Sequence, residues 1–267
     1  MNKISRIAIF IGLIFVPIIF SKVFNRQDQE IKSVLPVVGN KQNDVYRPKI
    51  ALIFDDFGES LKDLKTLYSL DIPVTLAIIP GLKFSKNIAY IGSRCGFSIF
   101  IHLPFQPKAA ARYNTKKYEF INSDLSKREI DDLLRYYLNY IRVAIGVNNH
   151  MGSGATEDEA LMKYVLGVVK GKGLIFIDSR TSLNSVAYKV AKENNLICGY
   201  NEGFLDSVDD IDAIEKKMDS LVEKAKDKGK IIIIAHPKEN TFSVLKNKIE
   251  ELKKEVEFVT IRDYFGM

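Results

Sequence analysis

Short apolar runs alternate with longer amphipathic segments from Lys49 to the end of the chain. Runs of this length are typical of buried strands, and apolar residues that recur every three or four positions are typical of helices. The short runs predict strands at 50–54, 74–79, 97–101, 144–147, 174–177, 196–200, 231–235 and 256–260. The longer segments predict helices at 60–70, 84–94, 126–141, 157–171, 184–194, 209–228 and 242–254.

Capping signals support several of these helix ends. Ser126 with Glu129, and Thr156 with Glu159, have the spacing of a capping box, so each pair predicts the start of a helix. Glycines stand where C-caps are expected, at Gly96, Gly171 and Gly229.

The regular order of strand and helix predicts a parallel sheet, because runs such as IIIIA at 231–235 suit strands buried on both faces. Both a (β/α) barrel and an open doubly wound sheet fit this order. The segment FDDFGES follows the first strand in place of a glycine-rich phosphate loop, which disfavours nucleotide binding. A barrel would carry its chemistry on the residues just after each strand.

The first 47 residues differ from the rest of the chain. An uncharged apolar run at 7–20 has Lys3 and Arg6 before it and Lys22 after it, as in a signal peptide or signal anchor. No clear cleavage site follows, so we expect residues 1–22 to be an uncleaved anchor in preference to a cleaved signal or a core helix. Residues 23–47 are mostly polar and predict a linker. The basic N-terminus would stay in the cytoplasm, which places the domain at 48–267 outside it, in the periplasm or at the cell surface.

Charge argues against a nucleic-acid partner. The chain has 39 basic and 33 acidic residues, but seven basic and three acidic ones lie in residues 1–47. The remaining 32 and 30 are nearly balanced, without the excess that nucleic-acid-binding domains carry. Cys95 and Cys198 have no metal-ligand spacing and are expected to be unpaired, although a disulfide between them stays open.

Chemically active side chains cluster at the predicted strand ends. Asp55 and Asp56 follow the first strand, and the only three histidines of the chain, His102, His150 and His236, fall at the ends of three others. Asp178 and Arg180 follow the fifth strand, as a weak site or a structural ion pair. Asn148 and Asn149 precede His150 and are expected to bond loop backbone in preference to substrate.

Two aspartates and three histidines on one rim predict a metal site in preference to a helix cap. Asp56, His102 and His150 would supply the N/O ligands of a hydrolytic zinc or another divalent cation, with a position left for water. Asp55 would act as the base. His236 would give a proton to the leaving group, and Asp178 would orient His236.

The motifs that surround these residues resemble those of the divergent polysaccharide deacetylases, an offshoot of the NodB-type carbohydrate esterases. They read DDFG, PVTLAIIPG, HLPFQP, GVNNHMGS, DSRTS and AHP, and the resemblance covers nearly all of 49–262. It implies an irregular (β/α)7-type barrel, a divalent metal that is usually zinc, and N-deacetylation of an acetylated envelope polysaccharide. It also implies that Asp55 is the base, Asp56 and His102 are metal ligands, and His236 is the late catalytic histidine.

The chain departs from the NodB pattern at three places. Gln106 stands where a second metal histidine is expected, Ala235 stands where a leucine is expected, and no arginine-proline-aromatic motif is evident. We infer that His150, from another strand, takes the place of the missing ligand.

Three functions are compatible with these residues. The first is a metal-dependent deacetylase that acts on peptidoglycan or another envelope glycan. The second is a weakly active or inactive protein of the same fold that binds glycan or a partner, which Gln106 favours. The third, a glycoside hydrolase, is disfavoured because adjacent aspartates are badly placed to flank one glycosidic bond.

Overall fold

A computed structural model describes residues 46–109 and 117–267. The predicted anchor at 1–22 and almost all of the predicted linker at 23–47 lie outside these residues. Over the two described ranges, none of the helices has the length and apolar character needed to cross a membrane.

All eight predicted strands are present in one sheet. In chain order, β1 to β8 span Lys49–Phe57, Val74–Ile78, Ser98–Phe105, Gly146–Met151, Ile175–Asp178, Cys198–Tyr200, Lys230–Ala235 and Glu257–Phe258. Seven of them form a parallel series in the order β6-β5-β4-β3-β2-β1-β7. The short β8 pairs with the start of β1.

The sheet curls into a nearly closed barrel. The chain that leaves β6 runs beside β7, where the backbone N–H of Glu202 donates to Ile232 and that of Leu205 donates to Ile234. A parallel bridge joins Phe204 to Ile234 in the same seam. The fold is therefore an α/β barrel of seven parallel strands, which excludes the open doubly wound alternative.

Helices follow the strands around the barrel. Those of the described residues, α1 to α8, span Asp63–Ser69, Ser85–Arg94, Lys127–Tyr140, Glu159–Gly171, Ala187–Glu193, Ile211–Lys228, Glu239–Glu255 and Ile261–Phe265. The short α8 was not predicted.

The predicted caps are partly right. The capping box of Ser126 and Glu129 is present at the start of α3, and Gly229 caps α6. The prediction for Thr156 is wrong, because Asp158 caps α4 and the Thr156 hydroxyl donates to the Gly152 carbonyl. Gly171 is the last residue of α4, and Gly173 instead adopts the left-handed conformation beyond it.

The strands are buried on both faces, so the core has two layers. Alternate residues such as Ile53, Ile177 and Ile234 form a cluster inside the barrel, and the other face of the sheet packs against the helices. Gly146 lets the Phe100 ring lie inside the barrel, because a Cβ there would come within 2.4 Å of the ring. The apolar core inside the barrel ends at the carboxyl ends of the strands, and the polar residues of the candidate site lie just beyond it.

Candidate metal centre

A bulge in β1 turns both adjacent aspartates toward the same cleft. Phe54 pairs with Leu76 and Phe57 pairs with Ile78, so β1 contains one more residue than β2 between these two paired positions. Neighbouring strand residues otherwise point to opposite faces. With the bulge, Asp55 and Asp56 both line one cleft at the carboxyl ends of the strands.

The backbone at this rim is unusual in three places. Asp56, Met151 and Arg180, at the ends of β1, β4 and β5, have φ values of 63°, 56° and 54°. Residues with side chains seldom adopt this left-handed conformation, and such strain is concentrated at functional sites. This backbone conformation at the strand ends therefore helps to direct side chains such as that of Asp56 toward the cleft.

The register of β3 and β4 brings the two histidines together. His102 pairs with Asn148 and Pro104 pairs with His150. Asn148 and His150, two residues apart, point to the same face. As a result, the rings of His102 and His150 lie with their centroids 4.9 Å apart.

Asp56, His102 and His150 each offer one ligand atom, and these atoms all lie within 4.8 Å of one another. Asp56 Oδ1 is 2.8 Å from His150 Nδ1 and 3.2 Å from His102 Nε2. Burial raises the pKa of Asp56, but its hydrogen bonds with the two histidines outweigh this effect and hold its pKa well below the usual value. The carboxylate is thus ionised, as a metal ligand must be.

Each of the two histidine rings makes a hydrogen bond through the nitrogen that points away from Asp56. The other nitrogen of each ring faces Asp56, where a cation would bind. His102 Nδ1 lies 2.8 Å from the Asn148 amide oxygen, so it carries the proton and Nε2 faces Asp56. His150 Nε2 lies 2.7 Å from the Tyr118 hydroxyl, which leaves Nδ1 to face Asp56. One carboxylate and two oriented imidazoles are a donor set that fits a divalent cation such as zinc.

Asp55 lies deeper than its neighbour. It is 2% exposed, whereas the Asp56 side chain keeps 41% of its surface exposed. Its Oδ1 accepts a hydrogen bond from the Asn148 amide at 2.8 Å, and its Oδ2 lies 3.5 Å from His102 Nε2. Burial raises the pKa of Asp55 to about 6. A carboxylate with a pKa in this range is suited to proton transfer near neutral pH.

His236 faces the cleft from β7, but the residue that orients it is not the predicted one. Its Nδ1 lies 2.8 Å from Oδ1 of Asp206, which is fully buried. Asp206 Oδ2 accepts from the His236 backbone N–H and the Thr241 hydroxyl. Burial lowers the pKa of His236, but the hydrogen bond with Asp206 and the nearby aspartates outweigh it and raise the pKa.

The prediction that Asp178 orients His236 is therefore wrong. Its neighbour Ile177 points into the barrel, so Asp178 points to the helix side of β5. There its carboxylate accepts from the Ser185 hydroxyl and from the backbone N–H groups of Arg180 and Tyr188. The proposed ion pair with the Arg180 side chain is also absent, because that guanidinium lies over the Tyr200 ring, 3.7 Å from its centroid.

The cleft has a volume of about 350 Å³. It contains all the predicted site residues except Asp178, and sequence reasoning missed Asp206, Phe204 and Lys238 among its lining. The Phe204 ring stacks on that of His236, with centroids 5.9 Å apart. The position of Asp206 could have indicated its role, because it follows β6, one of the strands to which no site residue had been assigned from the sequence.

Comparison with known proteins identifies relatives over nearly the whole described part. Residues 52–265 match the family described as divergent polysaccharide deacetylase. An uncharacterised protein of Haemophilus influenzae (strain Rd) is 32% identical over 211 residues, which cover 79% of this chain and 74% of that protein.

Two solved structures share the fold. The uncharacterised protein ATU2773 from Agrobacterium tumefaciens C58 superposes with a TM-score of 0.75 at 20% identity, over 85% of this chain and 91% of that one. The Bc1960 peptidoglycan N-acetylglucosamine deacetylase superposes with a TM-score of 0.51 at 16% identity, over 81% of this chain and 87% of that one. At these identities the likeness concerns the fold alone.

Proposed function

The chain belongs to the divergent polysaccharide deacetylase family, and from that premise we propose that it is a metal-dependent hydrolase that removes N-acetyl groups from an envelope polysaccharide. One observation carries the proposal. The bulge in β1 sets an ionised aspartate against two histidines and a second, buried aspartate beside them. A site for binding alone has no use for the second carboxylate.

We propose Asp56, His102 and His150 as the residues that hold the cation, and zinc as the cation. When bound, zinc lowers the pKa of a water molecule to about 7 and polarises a carbonyl group. The three side chains supply one oxygen and two nitrogens, the ligand set of catalytic zinc sites that leave a coordination position open.

Asp55 is the proposed base. Its Oδ1 is already engaged by Asn148, so Oδ2 is the oxygen available to take a proton from the water that attacks the acetyl carbon. The raised pKa of Asp55, about 6, strengthens it as a base relative to an ordinary aspartate.

His236 is the proposed acid. Asp206 holds its Nδ1–H and thereby turns Nε2 toward the cleft, 3.9 Å from Asp56 Oδ2. As the bond between the acetyl carbon and nitrogen breaks, Nε2–H gives its proton to the amine that leaves. Acetate and a free amino sugar are the products.

The substrate is proposed to be an acetylated envelope glycan, with peptidoglycan as the first candidate. The Bc1960 protein, which shares the fold, is a peptidoglycan N-acetylglucosamine deacetylase by name, and this supports the choice. The alternative was a weakly active or inactive protein of the same fold that binds glycan or a partner, and Gln106 favoured it. His150 offers the nitrogen donor that is missing there, so Gln106 no longer favours the alternative.

We also propose that residues 7–20 anchor the chain in the cytoplasmic membrane and that the domain at 48–267 works outside it. The basic residues before the apolar run and the absence of a clear cleavage site support this arrangement. Protease treatment of intact spheroplasts should digest the domain, whereas protection of the domain would contradict the proposal.

Release of acetate tests the proposed activity. The full-length protein, loaded with zinc, is incubated with N-acetylglucosamine oligomers and with peptidoglycan, and acetate is measured enzymatically. We expect acetate from at least one of them, and none after a chelator has removed the metal. Acetate release that persists after complete removal of metal would contradict the proposal.

A further inference from the structure

Asn148 is hydrogen-bonded to two residues of the candidate site without being one of its proposed ligands, acids or bases. It is fully buried in β4. Its amide group makes three hydrogen bonds, to His102 at 2.8 Å, to Asp55 at 2.8 Å and to the Ser179 hydroxyl at 3.2 Å. It is thus shared between a proposed metal ligand and the proposed base.

The orientation of this amide is determined by its partners. Asp55 is a carboxylate and can only accept, so the amide nitrogen must face it. The second hydrogen of the same nitrogen points to Ser179 Oγ. The amide oxygen therefore faces His102, and rotating the group by 180° would set two oxygens, those of Asn148 and Asp55, against each other.

This orientation has two consequences for the site. The amide oxygen holds a proton of His102 on Nδ1, so Nε2 is the nitrogen that faces Asp56 and that would bind a cation. The amide nitrogen occupies Asp55 Oδ1, so that Oδ2, on the side of His102 Nε2, is the oxygen left to accept a proton.

From this geometry we propose that Asn148 is a positioning residue with two roles, which orients the metal ligand His102 and the base Asp55 through the two ends of one amide. The inference rests on the proposed function, since it assumes that His102 binds a cation and that Asp55 takes a proton. Because the amide is neutral, it orders both side chains without adding a charge to the site.

Two variants separate the two roles. In Asn148→Asp, the new carboxylate still accepts from His102 but sets a like charge beside Asp55. We expect zinc affinity to stay within about threefold of the wild type, because carboxylate partners support zinc-bound histidines, while acetate release falls at least tenfold. In Asn148→Leu both contacts are lost, so zinc affinity should fall about 10- to 100-fold as well.

The experiment uses full-length protein and three measurements. Zinc affinity is measured by competition with a chelator, the geometry of the centre by the visible absorption of the cobalt-substituted protein, and turnover by acetate release. Asn201→Leu is the matched control, because Asn201 is also a buried asparagine but its side chain bonds the Ser179 carbonyl and the Gly203 N–H in place of His102 and Asp55. We expect this control to keep wild-type zinc affinity and cobalt spectrum.

The cobalt spectrum should change in Asn148→Leu and stay close to the wild type in Asn148→Asp. Wild-type zinc affinity and cobalt spectrum in Asn148→Leu would overturn the role toward His102. Full turnover in Asn148→Asp would overturn the role toward Asp55. A wild-type protein that binds zinc but releases no acetate would refute the proposed function and the Asp55 role with it, while the zinc affinities would still decide the His102 role.

Discussion

Adjacent aspartates at the end of β1 have the same chemistry but opposite surroundings. Asp55 is buried and has a raised pKa, whereas Asp56 is partly exposed, is bonded to two histidines and has a lowered pKa. Environments that separate two carboxylates in this way commonly assign them different tasks. Substitutions of Asp55 and of the proposed metal ligands are therefore expected to have different effects.

Asp55→Asn should keep zinc affinity but lower turnover about 10²- to 10⁴-fold, the contribution of a general base. The amide retains the shape of the side chain but does not take up a proton. Zinc affinity by chelator competition and acetate release are measured on the same preparation. Loss of zinc with turnover would instead make Asp55 a ligand and exchange the roles of the pair.

His150→Ala should weaken zinc binding by at least about 100-fold, because a ligand is lost and not only its support. Gln106→Ala is the matched control, since its side chain is not part of the cleft lining. If both variants bind zinc as the wild type does, His150 is not a ligand.

Asp206→Asn should lower turnover about 10- to 100-fold with zinc affinity unchanged, because it holds His236 and no proposed ligand. Asp178→Asn is the informative comparison. The structure places Asp178 on the helix side of β5, so this variant should lose stability in preference to turnover at 25 °C. If Asp178→Asn lowered turnover more than Asp206→Asn did, the role first predicted for Asp178 would be supported instead.

The strands and most helices could be predicted from the sequence because their apolar periods are clear. The roles of single side chains depend on features that this periodicity does not show. The rule that chemistry follows strand ends located Asp56, His102, His150 and His236. It failed for Asp178, since the alternation that sends Ile177 into the barrel sends the next residue out. It also missed Asp206, because the chain runs along β7 after β6 has ended.

The bulge of β1 could not be predicted from the pattern either. It depends on the pairing with β2, where one extra residue of β1 lies between two paired positions. Without it, alternation would send one of the two aspartates away from the cleft. The sequence thus identified the residues, and tertiary pairing determined how both face one site.

Gly146 tests the packing of β4 inside the barrel. Gly146→Ala should destabilise the protein by about 1–3 kcal/mol, the usual cost of overpacking, because its Cβ would meet the Phe100 ring at 2.4 Å and the Ile175 carbonyl at 2.9 Å. Gly167→Ala, where nothing lies within 4 Å of the added Cβ, is the control. Urea unfolding compares them, and equal stability of the two variants would contradict the packing argument.

The seam between β6 and β7 closes the barrel as a whole. Glu202 lies in this seam with its side chain 9% exposed, 3.1 Å from Lys224 Nζ and 2.6 Å from Lys228 Nζ. Burial raises the pKa of Glu202, but the hydrogen bonds from Lys228 and Lys224 outweigh it and lower the pKa. The ionised form is therefore favoured in the folded state.

Glu202→Gln should lower the free energy of unfolding at pH 7 by roughly 1 kcal/mol or less, since both lysines are partly exposed and solvent screens the pairs. A lowered folded-state pKa gives stability that is present above the unfolded value, about 4.3, and is lost as the pH falls through the folded value. The difference in the free energy of unfolding between Glu202→Gln and the wild type, measured with urea, should thus become smaller at acidic pH. Glu223→Gln, which removes the acidic partner of an exposed pair with Lys226, is the control. A stability difference between Glu202→Gln and the wild type that becomes larger at acidic pH would contradict this prediction.

We propose that the strand ends of this barrel hold a divalent cation between Asp56, His102 and His150. Anomalous diffraction at the zinc absorption edge, from crystals of the zinc-loaded protein, tests it most directly. We expect one strong anomalous peak per chain, within bonding distance of all three side chains. Zinc-loaded crystals with no peak there, or with the peak held by other residues, would contradict it.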